Sequence, residues 1–167
     1  KLDLGAPFFL WVHYWDPHDL AKLPPGVQAR DARNGNLPKR VQPFYAEEVT
    51  YMDSQIGRLL DTLRAHGVYD DTLFVVVADH GQGLMDHGWH GHRLLYQEQI
   101  RVPLIVRVPG VRPVPAVPAL VRTVDIYPTV LDYLGIALPG PVSGRSLRPL
   151  IEGTTDQPRT AFADQIN

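Results

Sequence analysis

Residues 68–83 read VYDDTLFVVVADHGQG, and the fold follows from this stretch. Its centre, 72–78 (TLFVVVA), is apolar and β-branched throughout. That composition and length predict a strand buried on both faces. An Asp-His-Gly sequence follows the strand directly. Upstream, Tyr45, Val49, Met52, Ile56, Leu59, Leu60 and Leu63 recur every three or four positions. They form one apolar stripe on an amphipathic helix, which Gly67 stops. Further upstream, 7–12 (PFFLWV) is a second continuous apolar run and predicts another buried strand. Strand, crossover with helix, then strand is a βαβ unit, so these two strands are expected to run parallel.

Downstream, 102–108 predicts a third strand, with Pro103 near its start where a missing N–H is tolerated. Residues 109–118 (PGVRPVPAVP) form a stiff, Pro-rich connection. A short helix is expected over 125–134, with Asp125 as N-cap, Pro128 in its first turn and Gly135 as its stop. Residues 16–43 show no period, and a loop of that length is often a lid or a substrate loop. The tail after Leu138 reads mostly as loop. The whole describes an α/β chain built on a mostly parallel sheet, with no internal repeat and no second domain.

Composition narrows the function classes. The chain has 167 residues, 44% of them hydrophobic and 20% charged, enough apolar material for a core. A net charge of -2 gives no basic footprint for nucleic acid. No apolar run approaches the ~20 residues of a membrane-spanning helix. The first fifteen residues imitate a signal peptide, but their aromatic run leads into Asp-Pro-His without a small-residue cleavage site. There is no cysteine, which excludes disulfide and thiol chemistry within these residues.

In an open α/β sheet, ligands bind at the carboxyl ends of the strands. Two polar clusters follow two predicted strands at that edge: 13–19, which contains His18, and Asp79 with His80. Asp79 and His80 offer a carboxylate oxygen and an imidazole nitrogen to one divalent cation. Gly81 and Gly83 suit a sharp turn that requires positive φ. The plainer alternative makes Asp79 a turn cap and His80 a solvated loop residue. Four of the seven histidines fall between positions 80 and 92, because His87, His90 and His92 follow closely. That loop reads equally as a zinc patch, as donors to an anionic substrate, or as a surface loop.

The order of four segments resembles the sulfatase family of the alkaline phosphatase superfamily. FFLWVHYWDPH (8–18) is similar to its strand followed by Asp/Ala-Pro-His. YAEEVTYMDSQIGRLLDTLRAHGVYDDTLFVVVADHG (45–81) resembles its helix, strand and Ser/Ala-Asp-His/Asn-Gly metal motif. GLMDHGWHGHRLLYQEQIRVPLIVRVPG (83–110) resembles the next loop and its Arg-Val-Pro-Leu-Ile-Val strand. TVDIYPTVLDYLGIALPGPVSGRSLRPLIEG (123–153) resembles the C-terminal helix and Gly-Arg-Ser-Leu segment.

The resemblance implies a partial alkaline-phosphatase-like α/β/α sandwich, with 1–167 as the C-terminal portion of a catalytic domain truncated on its N-terminal side. It implies that Asp79 and His80 are metal ligands and that His18 contacts the sulfate or phosphoryl group. His92 stands where many sulfatases carry a substrate-binding lysine, and His90 is its rival for that role. Gln82 stands where relatives often have Glu. The implied activity is hydrolysis of a small anionic sulfate ester by a formylglycine nucleophile with a divalent metal, calcium. Phosphodiester or phosphonate hydrolysis, with manganese or zinc, is the alternative on the same scaffold, and a non-catalytic metal-binding module is the alternative of another class. The family's nucleophile motif, Cys/Ser-x-Pro-x-Arg, begins at none of Ser54, Ser143 or Ser146. The resemblance therefore also implies that this stretch of chain alone has no turnover.

Overall fold

The computed structural model describes residues 5–18, 41–84, 86–87 and 90–164. In chain order the elements are a 3-10 turn (Asp16–His18), α1 (Val41–Ala65), β1 (Phe74–Val77), β2 (Gly83–Leu84), β3 (His90–Gly91), α2 (Gln97–Ile100), β4 (Leu104–Arg107), a second 3-10 turn (Thr123–Asp125), α3 (Ile126–Leu134) and α4 (Arg148–Ile151). They divide into two units. One comprises Lys1–Asp71 with Gln82–Gly91, the other Thr72–Gly81 with His92–Asn167.

The first unit is organised by α1. The predicted stripe lies on its half-buried side, and Leu63 is buried at its end. The helix begins at Val41, earlier than the stripe suggests. Pro43 does not prevent this, because the first-turn N–H groups have no intrahelical partner in any case. Gly67 adopts φ +71°, and its N–H and that of Val68 donate to the carbonyls of Arg64 and Leu63. This closes the helix with a left-handed residue that costs glycine little. The Asp16–His18 turn packs against α1. Of the expected loop 16–43, residues 19–40 lie outside those described.

The expectation for 7–12 is corrected. These residues form no strand, and Phe9 and Trp11 are 82% and 79% exposed. Aromatic composition favours a pleated surface, but a strand exists only as part of a ladder. Among the described residues nothing pairs with this run.

In the second unit, β1 and β4 confirm the other two strand expectations. They pair antiparallel, with Phe74 opposite Arg107 and Val77 opposite Leu104. The two-residue strands β2 and β3 of the first unit also pair antiparallel. The expectation of a mostly parallel sheet therefore does not describe the pairs seen here. A parallel pair needs a crossover of a dozen or more residues, usually a helix. The segment between β1 and β4 instead holds a small hairpin and the single turn of α2. The chain is α/β with a partial sheet.

The buried residues of the second unit are both polar and apolar: Gln99, Asp125 and Thr129, and Val108, Pro128 and Leu147. The expected helix is present as α3, with Gly135 at φ +65° as its C-cap. Asp125 precedes it, but its side chain makes no capping bond to α3. Its carboxylate instead accepts from the N–H groups of Arg122 (3.0 Å) and Arg145 (2.9 Å) and from the Arg122 guanidinium (2.8 Å). Thr129 Oγ1 donates to the Asp125 carbonyl and accepts from Leu147 N–H. The segment 144–147 is thereby stitched onto the start of α3. Gly144 allows this contact, since a Cβ there would collide with the carbonyl oxygen of Val124. No described helix is long and apolar enough to cross a membrane.

Candidate functional site

The site starts where β1 ends. After Val77 the chain leaves the ladder, and Asp79 and His80 emerge side by side. The backbone N–H of His80 donates to Asp79 Oδ1 at 2.9 Å, which turns the carboxylate toward its neighbour. His80 Nδ1 lies 2.8 Å from the carbonyl oxygen of Gly81. A carbonyl only accepts, so Nδ1 carries a proton, and in the neutral ring the lone pair is on Nε2. Asp79 Oδ2 stands 3.7 Å from that Nε2. Two donors bound to one divalent cation at about 2.0–2.5 Å each lie at a comparable separation. The carboxylate is exposed, at 76% of its side-chain surface, so an ion can reach it. Hard oxygen beside imidazole nitrogen fits a divalent metal as two ligands of a larger set. Among the described residues no group of three or more such side chains is gathered for one ion.

The expected positive φ at Gly81 and Gly83 is corrected. Neither residue has it. Gly81 is required for another reason: a Cβ would collide with the carbonyl oxygen of Glu98. Its N–H donates to the Gln99 carbonyl at 2.8 Å, so α2 lies hard against the turn that follows His80. Gly83 sits in β2, opposite Gly91.

His92 joins the pair. Its ring stacks on that of His80, with centroids 4.0 Å apart and planes 22° from parallel. Asp79, His80 and His92 line one cleft of about 680 Å³, together with Arg93, Gln99, Thr123, Phe162 and Asp164. Sequence reading had not singled out these last five. Arg93 follows the histidine already chosen and could have been weighed as the permanent cation of the loop. Nothing local marks Phe162 or Asp164, because they reach the cleft from a tail more than eighty residues after Asp79.

The other two predicted site residues belong to the first unit. His18 ends the Asp16–His18 turn, where its N–H donates to the Trp15 carbonyl at 3.0 Å and its ring packs on the Trp15 ring at 4.3 Å. His90 contributes backbone to β3, opposite Leu84, and its side chain lies outside those described.

These observations define a class: an α/β chain that presents a carboxylate, an imidazole and further cationic donors in one cleft at a strand end. The family can be stated more closely. The Sulfatase family profile matches residues 2–136, and the chain belongs to the sulfatase family, within the alkaline phosphatase superfamily. The chain is 37% identical over 115 residues to the N-acetylglucosamine-6-O-sulfatase of Bacteroides thetaiotaomicron, covering 68% of this chain and 21% of that protein. It is 36% identical over 123 residues to the arylsulfatase of Clostridium perfringens, covering 71% and 26%. Among solved structures, the phosphonate monoester hydrolase of Silicibacter pomeroyi matches with TM-score 0.67 and 41% identity, over 71% of this chain and 24% of that one. A protein solved with its substrate D-glucosamine-2-N,6-O-disulfate matches with TM-score 0.60 and 33% identity, over 73% and 26%. These likenesses give the chain the alkaline-phosphatase-like α/β fold. The chain spans about a fifth to a quarter of the length of these relatives.

Proposed function

We propose that the whole protein hydrolyses sulfate esters, with Asp79 and His80 as two ligands of a divalent cation, calcium. The observation that carries this reading is the Asp79–His80 pair at the end of β1, with Oδ2 and Nε2 3.7 Å apart in the cleft that also holds His92. When bound, the cation polarises the ester oxygens and makes the attacking group more acidic. Asp79 contributes a negative charge, which an imidazole does not supply. His80 is held in the ligating tautomer by the Gly81 carbonyl, a bond of the kind that orients metal-bound histidines. His92 donates N–H to the oxygens of the sulfate group, where charge accumulates during cleavage. It takes the role that lysine has in many relatives, and a protonated imidazole meets it. The family resemblance assigns His18 to the same group and makes His90 the rival of His92. No serine in this sequence begins the nucleophile motif, so the attacking formylglycine comes from outside these residues.

A second reading, hydrolysis of phosphonate or phosphate diesters, is favoured by the likeness to the Silicibacter pomeroyi hydrolase. Both reactions need a divalent cation at this edge and the same anion donors, so substrate preference separates them. The whole purified protein should hydrolyse 4-nitrophenyl sulfate with at least a tenfold greater kcat/KM than 4-nitrophenyl phenylphosphonate, a margin of about 1.4 kcal/mol in transition-state binding. The reverse preference would move the protein to the second reading. Activity toward neither ester, with metal bound, would support a non-catalytic metal-binding role.

A further inference from the structure

We infer that Gln99 is a positioning residue that holds His80 and His92 against one another. This role rests on the proposed function for its catalytic meaning, but its geometry stands separately. Gln99 lies in the single turn of α2 and is 3% exposed. It is bound to both loops that carry the stacked rings. Its backbone carbonyl accepts the N–H of Gly81, the residue after His80, at 2.8 Å. Its side-chain Oε1 accepts the N–H of Leu94, two residues after His92, at 2.6 Å. One residue thus ties the loop after β1 through its main chain and the loop after β3 through its amide.

The two attachments differ in what they ask of the sequence. Any residue at position 99 supplies the carbonyl. An acceptor of this length reaches Leu94 N–H, a part-buried donor whose bond a side chain without an acceptor would leave unmade. The contact with Gly81 fixes the distance further, because a Cβ there has no room against Glu98. Ring stacking at 4.0 Å depends on both loops keeping their places. His92, Arg93 and Leu95 of this loop are exposed, whereas Leu94 is half-buried. Gln99 Nε2 is buried without a hydrogen-bond partner among the described residues.

The test compares two variants of the whole protein. Gln99→Met keeps the bulk and removes the acceptor, whereas Gln99→Glu keeps an acceptor for Leu94 N–H. In Gln99→Met, kcat on 4-nitrophenyl sulfate should fall about 10- to 100-fold with metal content unchanged, the scale of a displacement near 1 Å in a catalytic group. Gln99→Glu keeps the acceptor for Leu94 N–H but adds a charge to the cleft that receives the anion, so it is read by the His80–His92 stack and not by kcat. Crystal structures of both variants provide a readout independent of turnover. The His80–His92 stack should open in Gln99→Met and persist in Gln99→Glu. A parent that hydrolyses neither ester would defeat the proposed function while leaving this structural comparison intact. An unchanged stack and unchanged kcat in Gln99→Met would overturn the role of Gln99. So would a stack that opens equally in both variants.

Discussion

Asp79→Asn in the whole protein is expected to lower ester hydrolysis by about three orders of magnitude and to remove the cation together with the activity. The substitution is nearly isosteric. It spares the bond from His80 N–H, because an amide oxygen accepts in place of Oδ1. What it removes is the negative charge beside His80 Nε2. A neutral amide is a much weaker partner for a hard divalent ion than a carboxylate. His92→Ala should behave differently, with a reduced rate at unchanged metal content, because its proposed partner is the substrate anion. Metal analysis of the two variants separates the roles. Cation lost from His92→Ala would make His92 a ligand, and full cation in an inactive Asp79→Asn would make Asp79 something other than one.

The second large effect concerns stability. Asp125→Ala should cost about 3–5 kcal/mol, the scale of breaking a buried ion pair from one side. Asp125 is fully buried, and Arg159 is 2% exposed with its Nε 3.2 Å from Asp125 Oδ2. Arg159 also meets Asp156, which in turn meets Arg145. Removing the Asp125 carboxylate leaves a buried guanidinium short of its counter-charge and the N–H groups of Arg122 and Arg145 short of their acceptor. Hydrogen exchange at the Arg145 and Leu147 amides should accelerate by about two to three orders of magnitude. Exchange within threefold of the parent would contradict the network's importance. Burial pushes the Asp125 carboxyl upward. The bonds from the Arg122 side chain and from the N–H groups of Arg145 and Arg122 outweigh this and hold it below 3.8. A carboxyl depressed on folding stabilises the protein above its unfolded pKa. The contribution is therefore complete above about pH 5 and is lost as pH falls through 3.8 toward the folded value.

Local chemistry made much of this legible in the sequence. The three- and four-residue spacing from Tyr45 to Leu63 and the stops at Gly67 and Gly135 are local signals, and the helices obey them. The β-branched runs around Phe74–Val77 and Leu104–Arg107 became strands. Their pairing direction did not show, because a run's composition is silent about its partner. The same silence explains 7–12, whose aromatic residues have the propensity of a strand but no ladder to join. Asp125 looked like an N-cap because capping is judged from a few neighbours, whereas two of its partners, Arg145 and Arg159, stand 20 and 34 residues downstream. At the site, Asp79 and His80 were visible because strand ends in α/β sheets gather ligands. Gln99 was hidden because its function lies in two bonds, to Gly81 and Leu94, that only the fold brings together.

The central claim is that Asp79 and His80 hold one divalent cation. It is tested most directly by anomalous diffraction from crystals of the whole protein soaked in manganese, a scattering stand-in for calcium. The predicted result is a single peak at about 2.0–2.5 Å from both an Asp79 carboxylate oxygen and His80 Nε2. A peak coordinated by neither residue, in a protein that still turns over its ester, would contradict it.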